Sequence, residues 1–151
     1  MVPPARISNP DCIFVGDGVI IHEDVWLSVV RHFPDIRPRL VIGDGVAIGR
    51  SCQLTVVGEL VIEQDAIVGD FVHIGDTFHP YESRNRIEEA VRPAPVRIGR
   101  GAVIGGHAVI LPGVTVGAGA YIDHHCVVGR DVPPGAVMAG HPARPVQGQG
   151  A

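Results

Sequence analysis

From Ile98 to Val128 the chain reads IGRGAV IGGHAV ILPGVT VGAGAY IDHHCV V. An aliphatic residue returns at every sixth position: Ile98, Ile104, Ile110, Val116, Ile122 and Val128. Working outward, the same spacing recurs in Val15, Ile21 and Leu27, in Ile42, Ile48 and Leu54, and in Ile62, Val68 and Ile74. Val, Ile and Leu make up 44 of the 151 residues, so a run of six arises by chance on the order of one time in a thousand. Fifteen such positions are a structural period.

The chemistry between the aliphatic positions repeats too. Glycine follows directly at positions such as 43, 69, 99, 105 and 117, and a small residue comes four places on, as at Cys52, Ala66, Ala102, Ala108, Ala120 and Cys126. One large inward side chain, one small one and one glycine per six residues suit a short strand followed by a tight corner, with glycine supplying unusual backbone angles or close approach. A unit this small buries nothing alone and must stack on its neighbours. Three faces per turn give coils of about eighteen residues that rise by the roughly 4.8 Å between adjacent strands. The expectation is one all-β domain over 1–151: a single-stranded parallel β-helix of about five coils across residues 13–132, with a tail at 133–151. The period breaks twice, at 28–41 and at 76–97, and a loop extruded from a regular solenoid is where function concentrates.

Composition removes several functions. All twelve basic residues are arginine, which excludes a lysine Schiff base, a lysine nucleophile and the Walker phosphate loop. A formal net charge of −4 with 19% charged residues leaves no broad basic footprint for nucleic acid or an anionic membrane. With aromatic residues at 5%, the core must be aliphatic, which favours strands. No stretch approaches the ~18 apolar residues of a membrane span, and a cytoplasmic location is the expectation. Cys12, Cys52 and Cys126 form neither a disulfide framework nor a CxxC pair; Cys52 and Cys126 fall in the small interior slot, where a thiol acts as a compact hydrophobe.

The second excursion opens Asp76-Thr77-Phe78-His79-Pro80-Tyr81. Proline restrains the residue before it to extended geometry, and a neutral imidazole so held can take a proton from a hydroxyl near pH 7. Asp76, three residues earlier, is placed to orient that imidazole or to bind acceptor hydroxyls, or else is an exposed loop carboxylate. His107 and His125 lie one coil apart and should stack at strand spacing, with His124 beside them. Three imidazoles raise the question of a metal, but stacked outward histidines at a subunit contact are the commoner outcome, and no metal is expected. Trp26 stands before Leu27 as either a subunit contact or a ligand platform.

From Val61 to Val146, a little over half the chain, the sequence resembles the hexapeptide-repeat acyltransferases, in particular the galactoside, maltose and polysaccharide O-acetyltransferases. The resemblance rests on His79-Pro80-Tyr81 with Ile98-Gly99 following at the family's interval, on Leu111-Pro112-Gly113-Val114-Thr115-Val116-Gly117, and on Asp131-Val132-Pro133-Pro134-Gly135 with Ala139-Gly140-His141-Pro142-Ala143-Arg144. It implies a left-handed parallel β-helix, where crossover rules alone would favour the right hand, and a homotrimer. It implies acetyl-CoA as co-substrate, a small-molecule acceptor such as a carbohydrate, and His79 as general base. Carried over position by position, the coenzyme groove falls on Gly106, His124, Gly129, Arg130 and Arg144, and acceptor contacts on Asp76 and Tyr81. Departures from the family are Val103 in place of its Trp and Asp123-His124-His125-Cys126 in place of a Gly-Ala-Gly-Ser run. Three alternatives share the helix: N-acylation of an amino-sugar nucleotide, a γ-carbonic-anhydrase-like metalloenzyme, and a non-catalytic trimeric scaffold.

Overall fold

The protein is described by a computed structural model covering residues 6–78 and 92–146. Strand β1 (Arg6–Ser8) precedes five complete coils. The first coil is β2 (Ile13–Val15), β3 (Ile20–Ile21) and β4 (Trp26–Val29). The second is β5 (Arg39–Ile42), β6 (Ala47–Ile48) and β7 (Gln53–Val56). The third is β8 (Glu59–Ile62), β9 (Ile67–Val68) and β10 (His73–Gly75). The fourth is β11 (Val96–Ile98), β12 (Val103–Ile104) and β13 (Val109–Ile110), and the fifth is β14 (Thr115–Val116), β15 (Tyr121–Ile122) and β16 (Val127–Val128). Beyond them come β17 (Val137–Ala139) and β18 (Arg144–Pro145).

These strands form the three walls of a prism. Face 1 is β2, β5, β8, β11 and β14; face 2 is β3, β6, β9, β12, β15 and β17, edged by β18; face 3 is β1, β4, β7, β10, β13 and β16. Within the faces every pairing is parallel except β17 with β18. The six-residue period becomes three interior ladders. On face 1, Ile42 pairs with Ile62, Ile98 and Val116 in succession. Face 2 stacks Ile48, Val68, Ile104 and Ile122, and face 3 stacks Leu27, Leu54, Ile74, Ile110 and Val128. All of these are at most 1% exposed. Val15 is the exception at 53%, because no coil precedes it on its face.

The small slot is buried throughout: Ala66, Ala102, Ala108 and Ala120 are at 0% exposure. Cys52 and Cys126 share it as free thiols, and burial pushes the Cys52 thiol up to about 11, so it is filler at neutral pH. The glycine that follows the aliphatic position serves close approach. A Cβ on Gly117 would lie 2.4 Å from the Pro134 nitrogen of the next coil. The left-handed backbone angle falls elsewhere, on Gly18, Gly45, Gly101, Gly119 and Gly135 at the corner between faces 1 and 2, and on Asp24, Ser51, Phe71, His107 and His125 at the corner between faces 2 and 3.

The helix is longer than the sequence period marks. It begins with β1, and Val132 bridges to Val116 before β17 adds a further strand to face 2. The first interruption is shorter than 28–41, because Ser28 and Val29 complete β4 and Arg39 already opens β5. The second is trimmed at its far end, where Val96 and Arg97 belong to β11. Both leave the prism at one corner, between faces 3 and 1. They meet there: Arg92 Nη1 lies 2.8 Å from Asp35 Oδ2, with its guanidinium carbon 5.2 Å over the Phe33 ring.

Candidate functional site

Between the two excursions the chain turns tightly through Val57 and Gly58, and Asp76 closes that turn from the coil above. Asp76 is 0% exposed. Its carboxylate accepts the Val57 N–H at 2.9 Å and the Gly58 N–H at 2.6 Å. Its backbone N–H donates to the Thr55 carbonyl at 3.2 Å, while its own carbonyl accepts the Ala94 N–H at 2.8 Å. Burial pushes the carboxyl above its usual range, against amide hydrogen bonds that pull it down. Of the alternatives for Asp76, the exposed loop carboxylate does not hold: both oxygens accept corner amides, and the residue fixes where the excursion departs. His79 and Tyr81, the expected base and acceptor contact, lie outside the described residues.

Of the five expected coenzyme positions, two meet at the corner between faces 2 and 3. A Cβ on Gly106 would lie 3.2 Å from His124 Nδ1, so the imidazole occupies the space that the glycine leaves. His124's backbone N–H is held by Asp123 Oδ1 at 2.9 Å. Beside them Phe71, His107 and His125 form a ladder of rings, with centroids 4.9 Å and 4.7 Å apart and planes within 12°. The stacking of His107 on His125 follows from their one-coil separation. Among the described residues no three His, Cys, Asp or Glu side chains converge to hold a metal ion.

The other three meet at the C-terminal end of the prism, Gly129 and Arg130 at the edge of face 3 that follows β16 and Arg144 on β18 at the end of face 2. Gly129, Arg130 and Arg144 line one cavity of about 190 Å3 with Val128, Asp131, Pro133, Met138, Ala143 and Pro145. The antiparallel return of β18 onto β17, with Ala139 opposite Arg144, brings Arg144 back beside Arg130 across fourteen residues of chain. Asp131 is occupied, since its Oδ1 accepts the Thr115 N–H at 2.8 Å, and Arg130 has no ion-pair partner among the described residues. The two guanidiniums thus form a small cationic pocket suited to phosphate oxygens.

The two clusters bracket face 3 at its fourth and fifth coils, where the outward residues are Val109 and Val127. Below them on the same face, Gln53, Thr55 and His73 line, with Thr77 and Phe78, a cavity of about 320 Å3. Burial holds the half-buried His73 imidazole below its usual pKa, so it is neutral at pH 7. The signal that would have found this cavity is the residue one before each buried aliphatic of face 3.

Residues 95–131 match the family described as bacterial transferase hexapeptide (six repeats). Galactoside O-acetyltransferase of Escherichia coli is 27% identical over 150 residues, which is 95% of this chain and 70% of that protein. Nodulation protein L of Rhizobium meliloti is 40% identical over 103 residues, 68% of this chain and 56% of that protein; the chain therefore spans little more than half of this second relative. The crystal structure of the N-acyltransferase AntD from Bacillus cereus, in complex with dTDP and 3-hydroxybutyryl-CoA, superposes with a TM-score of 0.80 at 20% identity, covering 94% of this chain and 75% of that one. The fold is accordingly the left-handed β-helix of hexapeptide repeats, and the chain belongs to the hexapeptide-repeat acyltransferases related to the galactoside, maltose and polysaccharide O-acetyltransferases.

Proposed function

We propose that the protein is a CoA-dependent acyltransferase that moves an acetyl group from acetyl-CoA to a hydroxyl of a small, carbohydrate-like acceptor. The observation that carries this reading is the bracketing of face 3. Gly106 and His124 stand at one edge, Gly129 and Arg130 stand at the other and share a cavity with Arg144 of β18, and the apolar Val109 and Val127 lie between. Arg130 and Arg144 hold phosphate oxygens of the coenzyme, and the valines receive its pantetheine arm. In a chain without lysine, guanidinium is the only permanent side-chain cation for that task. The relatives support the chemistry: one is a galactoside O-acetyltransferase, and AntD was crystallised with an acyl-CoA.

In this reading His79, at the start of the second excursion, removes the proton from the acceptor hydroxyl. The alkoxide attacks the thioester carbonyl, the tetrahedral adduct collapses, and the departing thiolate takes the proton back from the imidazolium. No covalent enzyme intermediate is needed. Asp76 sets the point from which the His79 segment leaves the prism, and Tyr81 contributes to the acceptor side.

The active assembly is a homotrimer that packs through face 2. The outward residues of that face are Ile20, Ala47, Ile67, Val103, Tyr121 and Val137, an unbroken apolar strip in which Ile20 is 55% and Ile67 49% exposed. Apolar strips of this extent mark subunit contacts. The place of work is the cytoplasm, in keeping with three unpaired cysteines. Among the described residues no helix is long and apolar enough to cross a membrane.

The test is calorimetric titration of acetyl-CoA into the wild-type protein and His79→Ala, with a thioester-cleavage assay over a panel of sugars and amino sugars. The expected result is equal coenzyme binding by both proteins, with turnover lower in the variant by about 10²–10⁴-fold. Absence of coenzyme binding at millimolar concentration would sink the reading.

A further inference from the structure

Trp26 is the one tryptophan of the chain, and neither the coenzyme positions nor the apolar strip of face 2 includes it. It stands on face 3 in the first coil, 38% exposed. Arg6 pairs with it from β1, and the Arg6 guanidinium carbon lies 6.0 Å from the ring centroid. Beside it runs the corner between faces 2 and 3, where Asp24 and Ser51 follow one another a coil apart at left-handed angles, φ 59° and 53°. Arg6, Asp24, Trp26 and Ser51 line a cavity of about 320 Å3.

The other charges of this corner are already paired. Arg50, next to Ser51 in sequence, holds Glu23 at 2.6 Å and Asp70 at 3.6 Å. Arg6 and Asp24 bring opposite charges to one cavity, yet neither has an ion-pair partner among the described residues. The Ser51 hydroxyl and the Trp26 indole N–H likewise make no hydrogen bond among them. At 6.0 Å the guanidinium is at the outer limit of a cation–π contact, so little holds it over the ring. The cavity thus presents a cation, an anion, two neutral polar groups and an aromatic surface, all available to a ligand.

That set of groups selects among ligands by charge. A simple anion would gain Arg6 and be repelled by Asp24, and a simple amine would meet the reverse. A neutral ligand would leave both charges without a counter-charge. A zwitterion satisfies the whole set: its carboxylate takes the two-pronged guanidinium, its ammonium meets the Asp24 carboxylate and the Ser51 hydroxyl, and an apolar side chain packs on the indole. The cavity lies at the small end of ligand-sized clefts, which suits a free amino acid better than a peptide. We propose that Arg6, Asp24, Trp26 and Ser51 form a binding site for a free α-amino acid with an apolar side chain. Along face 3 it lies three coils below Val109, about 14 Å at the usual strand spacing, so it is separate from the coenzyme positions and stands or falls independently of the acyltransferase reading.

A single tryptophan makes the test direct, because the chain has one indole N–H signal and one indole emission. The full chain, without coenzyme, is titrated with L-leucine, L-methionine and L-phenylalanine while NMR follows that indole N–H. Isoamylamine and 4-methylpentanoate serve as the amine alone and the carboxylate alone, and methyl β-glucoside and uridine as neutral ligands. At least one amino acid is expected to shift the signal, with affinity at least about tenfold above that of the amine or the carboxylate. Arg6→Gln and Asp24→Asn, both exposed positions, are expected to weaken that amino acid by about tenfold or more with Tm unchanged, and Arg6→Lys to recover part of the loss. No shift by any of the three amino acids at about 50 mM overturns the proposal. So does an equal response to the amine or the carboxylate alone, a stronger response to either neutral ligand, or an unaltered amino-acid affinity in both variants.

Discussion

The Asp76 carboxylate reaches down one coil and takes the Gly58 N–H at 2.6 Å, tying the root of the second excursion to the tight corner between β7 and β8. Pro93, on the returning limb, fills the space beside that corner, where a Cβ on Gly58 would lie 2.7 Å from Pro93 Cγ. Both limbs of the excursion are thus fastened to one dipeptide.

Asp76→Ala should therefore destabilise the fold, because it leaves the buried Val57 N–H and the part-buried Gly58 N–H without this acceptor. The expected loss is about 1–3 kcal/mol, seen as a lowered urea midpoint. Asp76→Asn keeps one acceptor oxygen and should lose less. A variant Asp76→Ala with wild-type stability would show that the corner amides find another partner.

Glycine substitutions should separate the two uses of that residue. Gly117→Ala drives a methyl group to 2.4 Å from the Pro134 nitrogen, a backbone clash that the stacked coils cannot relieve, and should cost about 2–3 kcal/mol. Gly119 has φ of +66° with nothing within 4 Å of its Cβ position, so Gly119→Ala pays only for the left-handed backbone, about 1–2 kcal/mol. Thermal unfolding of the two variants should rank them in that order.

The prism was legible in the sequence because its interior obeys one rule. Ile98, Ile104 and Ile110 are buried for the same reason, and a six-residue period can be counted. The ends were not legible: Val132 and Met138 continue the walls at four- and six-residue steps after Val128, and β1 carries only Ile7 as an inward aliphatic. The burial of Asp76 was not legible because its sequence neighbours, Thr77 and Phe78, look like loop, while its partners are Val57 and Gly58 some eighteen residues earlier. The meeting of Asp35 with Arg92 depends on both excursions leaving the same corner, which only the phase of the coils decides. The partition of the coenzyme positions between the corner of faces 2 and 3 and the C-terminal end of the prism follows from that phase, and so does the column of Gln53 and His73. The residue before each aliphatic was available to be read, but it carries meaning only once the walls are assigned.

His73 should leave a signature in the pH dependence of stability. Burial lowers its folded-state pKa from the usual 6.5, so between pH 6.5 and that lower value the unfolded chain binds a proton that the folded chain refuses. Its contribution to stability is intact above pH 7, declines as pH falls through 6.5, and levels off below the folded pKa, with a slope of at most about 1.4 kcal/mol per pH unit. His73→Gln removes that decline. The stability of the variant relative to wild type should therefore rise on going from pH 7 to pH 5 in urea unfolding, and a constant difference would contradict the burial of the ring.

Self-association should be sensitive to face 2. Ile67, at 49% exposure, lies between Ala47 and Val103 in the outward column. Ile67→Glu places a charge in the centre of the apolar strip and should yield a folded monomer by light scattering, whereas the same change at Arg97 on face 1 should leave the trimer intact. A monomeric wild-type protein would remove the role proposed for this face.

The arginine pair offers the sharpest test of the coenzyme reading. Arg130 and Arg144 line the same small cavity, yet they reach it differently: Arg130 directly from the corner after β16, and Arg144 through β18, where its Nη1 donates to the Ala143 carbonyl at 3.1 Å. If both guanidiniums hold phosphates, Arg130→Ala and Arg144→Ala should each weaken acetyl-CoA binding by about 5–30-fold, while Lys at either position should recover part of the loss by charge without the bidentate geometry. Added salt should weaken the wild type more than either alanine variant, since each variant has lost one screened contact. Desphospho-CoA, which lacks the 3′-phosphate, then assigns the contacts: the arginine that holds that phosphate is the one whose removal no longer matters when it is absent. Equal affinity of wild type and the double variant for acetyl-CoA would place the phosphates elsewhere on the prism and leave this pocket without a coenzyme role.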